Sequence, residues 1–421
     1  MAFEEGGERA KKGLLSVPAL PIQPHLLFFL IYNAIYLTPL LLVYFLGFSE
    51  GGSEDLIGLK GIIIARVAAV YGMGILAFFA GTRTYAFLRW SILGTSNGAW
   101  QPRQPEIGIS EKSVIFFVTL LFVGSKIALI PLGVYHTYTI EMMTGGAWSF
   151  SAFCSETLVL IQVLVLFSRL SRRLSIFLGL CIVNGINLLH GSRVFFIINA
   201  MTVLFFFYIQ GKVKMKRVIL FGPPAFFLVL CATYAVYLSR MSAFGMELSA
   251  GQLASPLVYE SVFSQYSIIG TVSHTDLWLA TGRVGEFLKD VALFSTPRIL
   301  IPDKESMLFI PRFDYLSPKG AFNGYAAALL YFGFLFPIFY YTLGLFGDWL
   351  YRSSRRSSWH FILYVYFSVD FCLHIMRDGL LIPIKMLTNA VQILVLLYLA
   401  NWFSSFLSSK PIFVEPQQFD V

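Results

Sequence analysis

Two turns in this chain of 421 residues are almost too short to be loops, and each carries an arginine. His190-Gly191-Ser192-Arg193 and Met376-Arg377-Asp378-Gly379 both interrupt long apolar sequence, so each guanidinium stands at the edge of an apolar layer. At such a boundary a guanidinium either snorkels to lipid headgroups or grips phosphate through paired, planar hydrogen bonds. Two more arginines share the setting. Arg240 closes the apolar run before the longest polar stretch of the chain, and Arg298 lies in Thr296-Pro297-Arg298-Ile299-Leu300-Ile301-Pro302-Asp303-Lys304. Prolines on both sides of Arg298 fix the backbone and would hold the side chain in a set direction. Each arginine alone also reads as a headgroup contact or a charged connector; the set reads as a cationic rim.

Arg66, Lys126, Glu156, Asp370 and Lys385 fall inside apolar runs. Ionisable groups are costly in lipid and face a partner or a wet cavity, so these suggest a polar cleft opening outward, or ion pairs between helices. Val284, Phe287, Leu288 and Val291 recur at helical spacing opposite Arg283, Glu286, Lys289 and Asp290. That pattern predicts an amphipathic helix on the bilayer surface with its charges in solvent. Other signatures are missing: no phosphate loop, HExxH, GxSxG or nucleotide fingerprint, and six scattered histidines without metal-ligand spacing. Neither a metal nor a cofactor is expected. Cys154, Cys181, Cys231 and Cys372 all lie in apolar runs, against disulfides and a cysteine metal site.

The elements that must position these residues are set by the solvent. Hydrophobic residues make up 57% and charged residues 13%, with a mean hydropathy of +0.72. A soluble chain carries about 25% charged residues, so this one is built for lipid. A transmembrane helix needs roughly 20 apolar residues. Ten such runs start near Leu26, Gly61, Val114, Trp148, Leu174, Val194, Val218, Tyr325, Phe361 and Leu380. The N-terminal residues lack a signal-peptide core, so targeting is expected from the first span. Over the short loops, 18 Lys and Arg fall on the side of the termini and three on the other. By the positive-inside rule both termini are cytoplasmic. The +8 net charge is therefore a topology signal and gives no reason to expect nucleic acid. The expectation is an all-α polytopic membrane bundle of about ten helices with one long, partly helical outer loop. Its parts are a cytoplasmic tail 1–25, helices one to seven over 26–238, and the outer loop 239–324. Helices eight to ten follow over 325–402, and a cytoplasmic tail 403–421 closes the chain.

That plan resembles the O-antigen polymerase (Wzy) group of oligosaccharide repeat-unit polymerases. The likeness rests on the long outer loop after span seven and on Pro297-Arg298 with Pro302-Asp303-Lys304. It extends to Gly324-Tyr325, Tyr331-Phe332-Gly333 and Gly191-Ser192-Arg193. The resemblance implies a glycosyltransferase in a bacterial inner membrane acting on undecaprenyl-pyrophosphate-linked oligosaccharides at the outer leaflet. Membrane lipids are further partners, and a chain-length regulator is left open. Arg193, Arg240, Arg298, Arg377 and Lys304 would then hold the pyrophosphate, whose developing charge such donors stabilise. His274, Asp276, Glu260 and Asp378 are unranked candidates for the base that helps a sugar hydroxyl attack. Trp278 and Tyr315 could stack on sugar rings, although anchoring at the interface is their commoner use. A ligase that passes the glycan to another acceptor and a flippase for lipid-linked sugars are the alternatives. The flippase fits less well, because the chain shows no internal repeat and its outer charges gather on one side.

Overall fold

The computed structural model describes residues 22–46, 61–93, 111–129, 146–168, 170, 172–189, 194–209, 255–274, 283–296, 300–301, 303–316, 322–354 and 357–408. Among these the regular structure is helical throughout, with no strand. In chain order the helices are α1 (Pro24–Leu46), α2 (Gly61–Leu93), α3 (Glu111–Leu129), α4 (Gly146–Leu166), α5 (Arg173–Leu189) and α6 (Val194–Ile209). Next come α7 (Ser255–Ser273), α8 (Val284–Ser295), the single turn α9 (Lys304–Met307) and a 3₁₀ segment, Ile310–Leu316. The chain continues with α10 (Gly324–Phe332), α11 (Phe336–Ser353), α12 (Ser358–Tyr366), α13 (Cys372–Asp378) and α14 (Leu381–Ser408).

Among the described residues, four stretches are long and apolar enough to cross a membrane: Gly61–Thr84, Gly324–Ser353, Ser358–Asp378 and Leu381–Leu399. Other helices carry shorter apolar segments, Phe153–Leu166 and Ile197–Ile209 among them. The run near Val218 lies outside the described residues. Burial separates the four. Ser358–Asp378 is 83% buried within the protein, whereas Gly61–Thr84 is 33% and Leu381–Leu399 is 28%. The first is a central post surrounded by helices; the others turn most of their surface outward, as lipid-facing helices do.

Small residues and aromatic rings hold this arrangement. A Cβ on Gly344 would stand 2.1 Å from the Phe78 carbonyl oxygen, and one on Gly81 would stand 2.0 Å from that of Tyr341. Helices α2 and α11 therefore cross backbone to backbone, the close approach that small residues permit in lipid. Beside this crossing Phe29 stacks on Phe78 at 3.9 Å, and Tyr325 stacks on Tyr340 at 4.5 Å between centroids.

The central post is not a regular α-helix. Residues Phe367–Phe371 form a π-turn between α12 and α13. Such a bulge shifts the backbone hydrogen bonding and frequently marks a functional position. Tyr32 donates its hydroxyl to the Val369 carbonyl at 2.6 Å, so the bulge is met from α1. The post ends at Gly379, whose φ of +79° is a conformation that side-chain-bearing residues rarely adopt. Gly379 and Leu380 make the whole turn into α14.

One sequence expectation changes here, and another gains detail. The stretch read as an outer loop contains α7, which packs against α1, α2, α10 and α13. Its Ser264, Gln265, Ser267 and Thr271 are fully buried. Their polarity reflects contact with other helices, which hydropathy cannot tell from contact with water. The amphipathic helix forms as α8, but its faces are not as expected. Asp290, assigned to the solvated side, is buried and accepts from Tyr331 Oη at 2.5 Å and Phe309 N at 2.8 Å. Val284 and Leu288 stay exposed. The charge that is solvated is the Lys289–Glu286 pair at 2.7 Å, whose hydrogen bond holds the Glu286 carboxyl below its ordinary value.

Candidate functional site

Asp370, His374 and Asp378 recur every fourth residue along the central post, from the π-turn to the last residue of α13. Helical spacing of that kind places side chains one above another on a single face. His374 Nδ1 lies 2.5 Å from Asp378 Oδ2, and its Nε2 lies 3.6 Å from Asp370 Oδ1. The first is a short, charge-assisted contact that fixes the ring. The second is too long for a hydrogen bond. Arg377 Nη1 donates to both Asp378 oxygens, at 3.0 and 3.2 Å.

Exposure is graded along this column. Arg377 is 26% and Asp378 15% exposed, but His374 is 6% and Asp370 2%. The outer end can meet a ligand, and the inner end can only pass charge or hold position. Among the described residues, His374 Nε2 and Asp370 Oδ2 have no hydrogen-bond partner despite their burial. An unmade bond in such a place is expensive, so the pair is a candidate working part and not filler.

Neighbouring elements supply the walls. Glu156 of α4 accepts from Asn389 Nδ2 of α14 at 3.3 Å and lies within electrostatic reach of Asp370, His374 and Lys385. Asn323 fixes the height of α13. Its Nδ2 donates to the Met376 carbonyl at 3.2 Å and to Tyr71 Oη at 2.9 Å. Its Oδ1 caps α10 by accepting from Tyr325 N at 2.8 Å, and its own N–H reaches Ser267 Oγ at 2.8 Å. Gln265 of α7 donates to the same Tyr71 hydroxyl at 2.8 Å. One asparagine thus ties α2, α7, α10 and α13 together next to Arg377.

Of the residues singled out from the sequence, Asp378 and Arg377 come together in this column. His274 stands exposed just after α7; its Nδ1 is 2.8 Å from the Gly270 carbonyl, and its ring meets Tyr315 edge-on at 6.4 Å. Tyr315 is 62% exposed, so the two form an aromatic corner on the surface. Lys304 is buried and donates to the carbonyls of Phe294, at 3.2 Å, and Thr296. It closes the C-terminus of α8, where a cation suits the free carbonyls. Glu260 belongs to α7, but its side chain is outside the described set. Arg193, Arg240, Asp276, Trp278 and Arg298 lie outside the described residues. His374 and Asn323 were missed. Spacing could have found His374, since Asp370-x₃-His374-x₃-Asp378 is visible in the sequence. Nothing local marks Asn323. Among the described residues no group of three or more His, Cys, Asp and Glu side chains is arranged to hold a metal ion. Comparison with family models, with curated proteins and with solved structures returns no match.

Proposed function

We propose that this protein is a membrane glycosyltransferase that joins lipid-diphosphate-linked oligosaccharide units, a repeat-unit polymerase of the O-antigen (Wzy) kind. The observation that carries the reading is the Asp370–His374–Asp378 column with Arg377 at its outer end, built into a buried span. In this reading the acceptor sugar hydroxyl attacks the anomeric carbon of the donor. A new C–O bond forms as the bond from that carbon to the lipid diphosphate breaks. The hydroxyl proton passes to Asp378, the carboxylate with an exposed edge, and His374 behind it steadies the charge on that carboxylate. Arg377 stands beside the departing diphosphate, where a guanidinium offsets developing negative charge. No step calls for a nucleotide, which suits an outward-facing site.

The remainder of the reading belongs to the same proposal. It has about ten spans, both termini in the cytoplasm of a bacterium and undecaprenyl diphosphate as the lipid. The donor rim would include Arg193, Arg240 and Arg298. The test is the surface-glycan ladder of cells carrying Asp378→Asn or His374→Ala, with protein level measured in parallel. Collapse to a single repeat at normal protein level is the expected result for both. A full ladder in both variants would remove the column from the chemistry. Bare acceptor without even one repeat would point to a ligase. Transfer of labelled lipid-linked glycan between leaflets by purified protein, with no lengthening, would point to a flippase.

A further inference from the structure

Tyr315 and His274 form a corner of two rings that no step of the proposed reaction uses. Their planes stand at 87° with the centroids 6.4 Å apart, and both side chains are exposed. The backbone beneath them is fixed. Gly270 of α7 lies so close to Leu316 that a Cβ on it would stand 3.1 Å from the Leu316 carbonyl oxygen. Leu316 is buried, and this close approach brings Tyr315, one residue earlier, to the end of α7. On the other side of Tyr315, Phe313 meets Phe309 edge-on at 5.0 Å. The Arg283 guanidinium lies over both of those rings, 5.3 Å from Phe309 and 6.0 Å from Phe313. Phe309 is tied in turn through its N–H to Asp290. An exposed ring on a segment anchored in this way loses little freedom when it meets a solute.

Hydrogen bonding gives the corner its chemistry. His274 Nδ1 lies 2.8 Å from the Gly270 carbonyl, which can only accept, so Nδ1 carries the proton. In the neutral ring Nε2 is then an acceptor. Neighbouring carbonyls at the end of α7 are tied down as well. Ser273 Oγ donates to that of Ile269 at 2.7 Å, and Arg66 Nη1 to that of Val272 at 3.2 Å. The result is an acceptor held at a set angle to an aromatic ring. An ionised phosphate or carboxylate has no proton to give such an acceptor, and a hydrocarbon tail has none either. A sugar supplies both parts, an apolar C–H face for the Tyr315 ring and hydroxyl donors for Nε2. We infer that Tyr315 and His274 are a carbohydrate subsite that holds one sugar ring of the glycan, with His274 as hydrogen-bond acceptor and not as the base. The inference rests on the transferase reading, which supplies the glycan. Because α7 also packs against α13, the subsite and the column share one framework.

The experiment is binding by the full chain in nanodiscs, titrated by saturation-transfer NMR and expressed per folded protein. One probe is the oligosaccharide released by mild acid from the surface polysaccharide of the cells that carry this protein. The other is glycerol phosphate, which stands for lipid headgroups. Tyr315→Ala removes the ring, Tyr315→Phe keeps it, His274→Ala removes the acceptor, and Lys289→Gln is an exposed control. Tyr315→Leu replaces Ala if that variant does not fold. Oligosaccharide binding should weaken about tenfold in Tyr315→Ala and about threefold or more in His274→Ala. Tyr315→Phe and Lys289→Gln should stay close to the parent. Equal affinities for the parent, Tyr315→Ala and His274→Ala would overturn the subsite and leave the transferase reading standing, since the parent still binds the glycan. Loss in Tyr315→Ala without loss in His274→Ala would overturn the role of His274. Tyr315-dependent binding of glycerol phosphate alone would make the ring a headgroup anchor and overturn the subsite. A parent that binds no oligosaccharide would also overturn it, and the ladder of Asp378→Asn cells then decides the transferase reading separately.

Discussion

Replacing Asn323 by Ala should loosen the bundle beside the column, by an amount that follows from its bonds. The side chain donates to Tyr71 Oη and the Met376 carbonyl and caps α10 at Tyr325 N. Hydrogen bonds between membrane helices average about 0.6 kcal/mol each, so the two donations contribute about 1 kcal/mol. Loss of an N-cap costs about 1 kcal/mol more. The total is near 2 kcal/mol, rising toward about 3 where the Met376 carbonyl and Tyr325 N–H are left buried and unpaired. Asn323→Ser keeps an acceptor for the cap and should recover roughly 1 kcal/mol. The measurement is thermal stability of detergent-purified protein, with Lys289→Gln expected to move by less than about 0.5 kcal/mol. The Ala variant should melt several degrees low, with Ser between it and the parent. Because Met376 precedes Arg377, activity should fall further than protein level does. An Ala variant as stable as the parent would refute Asn323 as the joint of four helices. A Ser variant no better than Ala would refute the cap's share alone.

The crossing of α2 and α11 should tolerate no side chain: Gly344→Ala puts a Cβ 2.1 Å from the Phe78 carbonyl and should cost about 1–3 kcal/mol, seen as reduced folded yield. Gly179→Ala, whose Cβ meets nothing within 4 Å, should be silent and serves as the comparison. For topology, a reporter fused after Ser317 should be exposed outside and one after Lys214 inside; the reverse labelling would remove the outward-facing site altogether.

The amino-acid sequence determined the helical class, the membrane as solvent and the sharp turn after Asp378. Those are local matters. Hydropathy over a window measures transfer to lipid, and Gly379 marks the end of α13 because few other residues adopt its φ. The sequence also held the column, since Asp370, His374 and Asp378 share one helical face. Only the tertiary structure decided that α7 enters the bundle, that Asp290 is buried and that Asn323 binds four helices. Each of these turns on a polar group whose partner is distant in sequence: Asn323 meets Tyr71 across 252 positions, and Asp290 meets Tyr331 across 41. A serine or carboxylate facing another helix has the same local pattern as one facing water. The difference lies in who supplies the hydrogen bond, and that is settled when the helices pack.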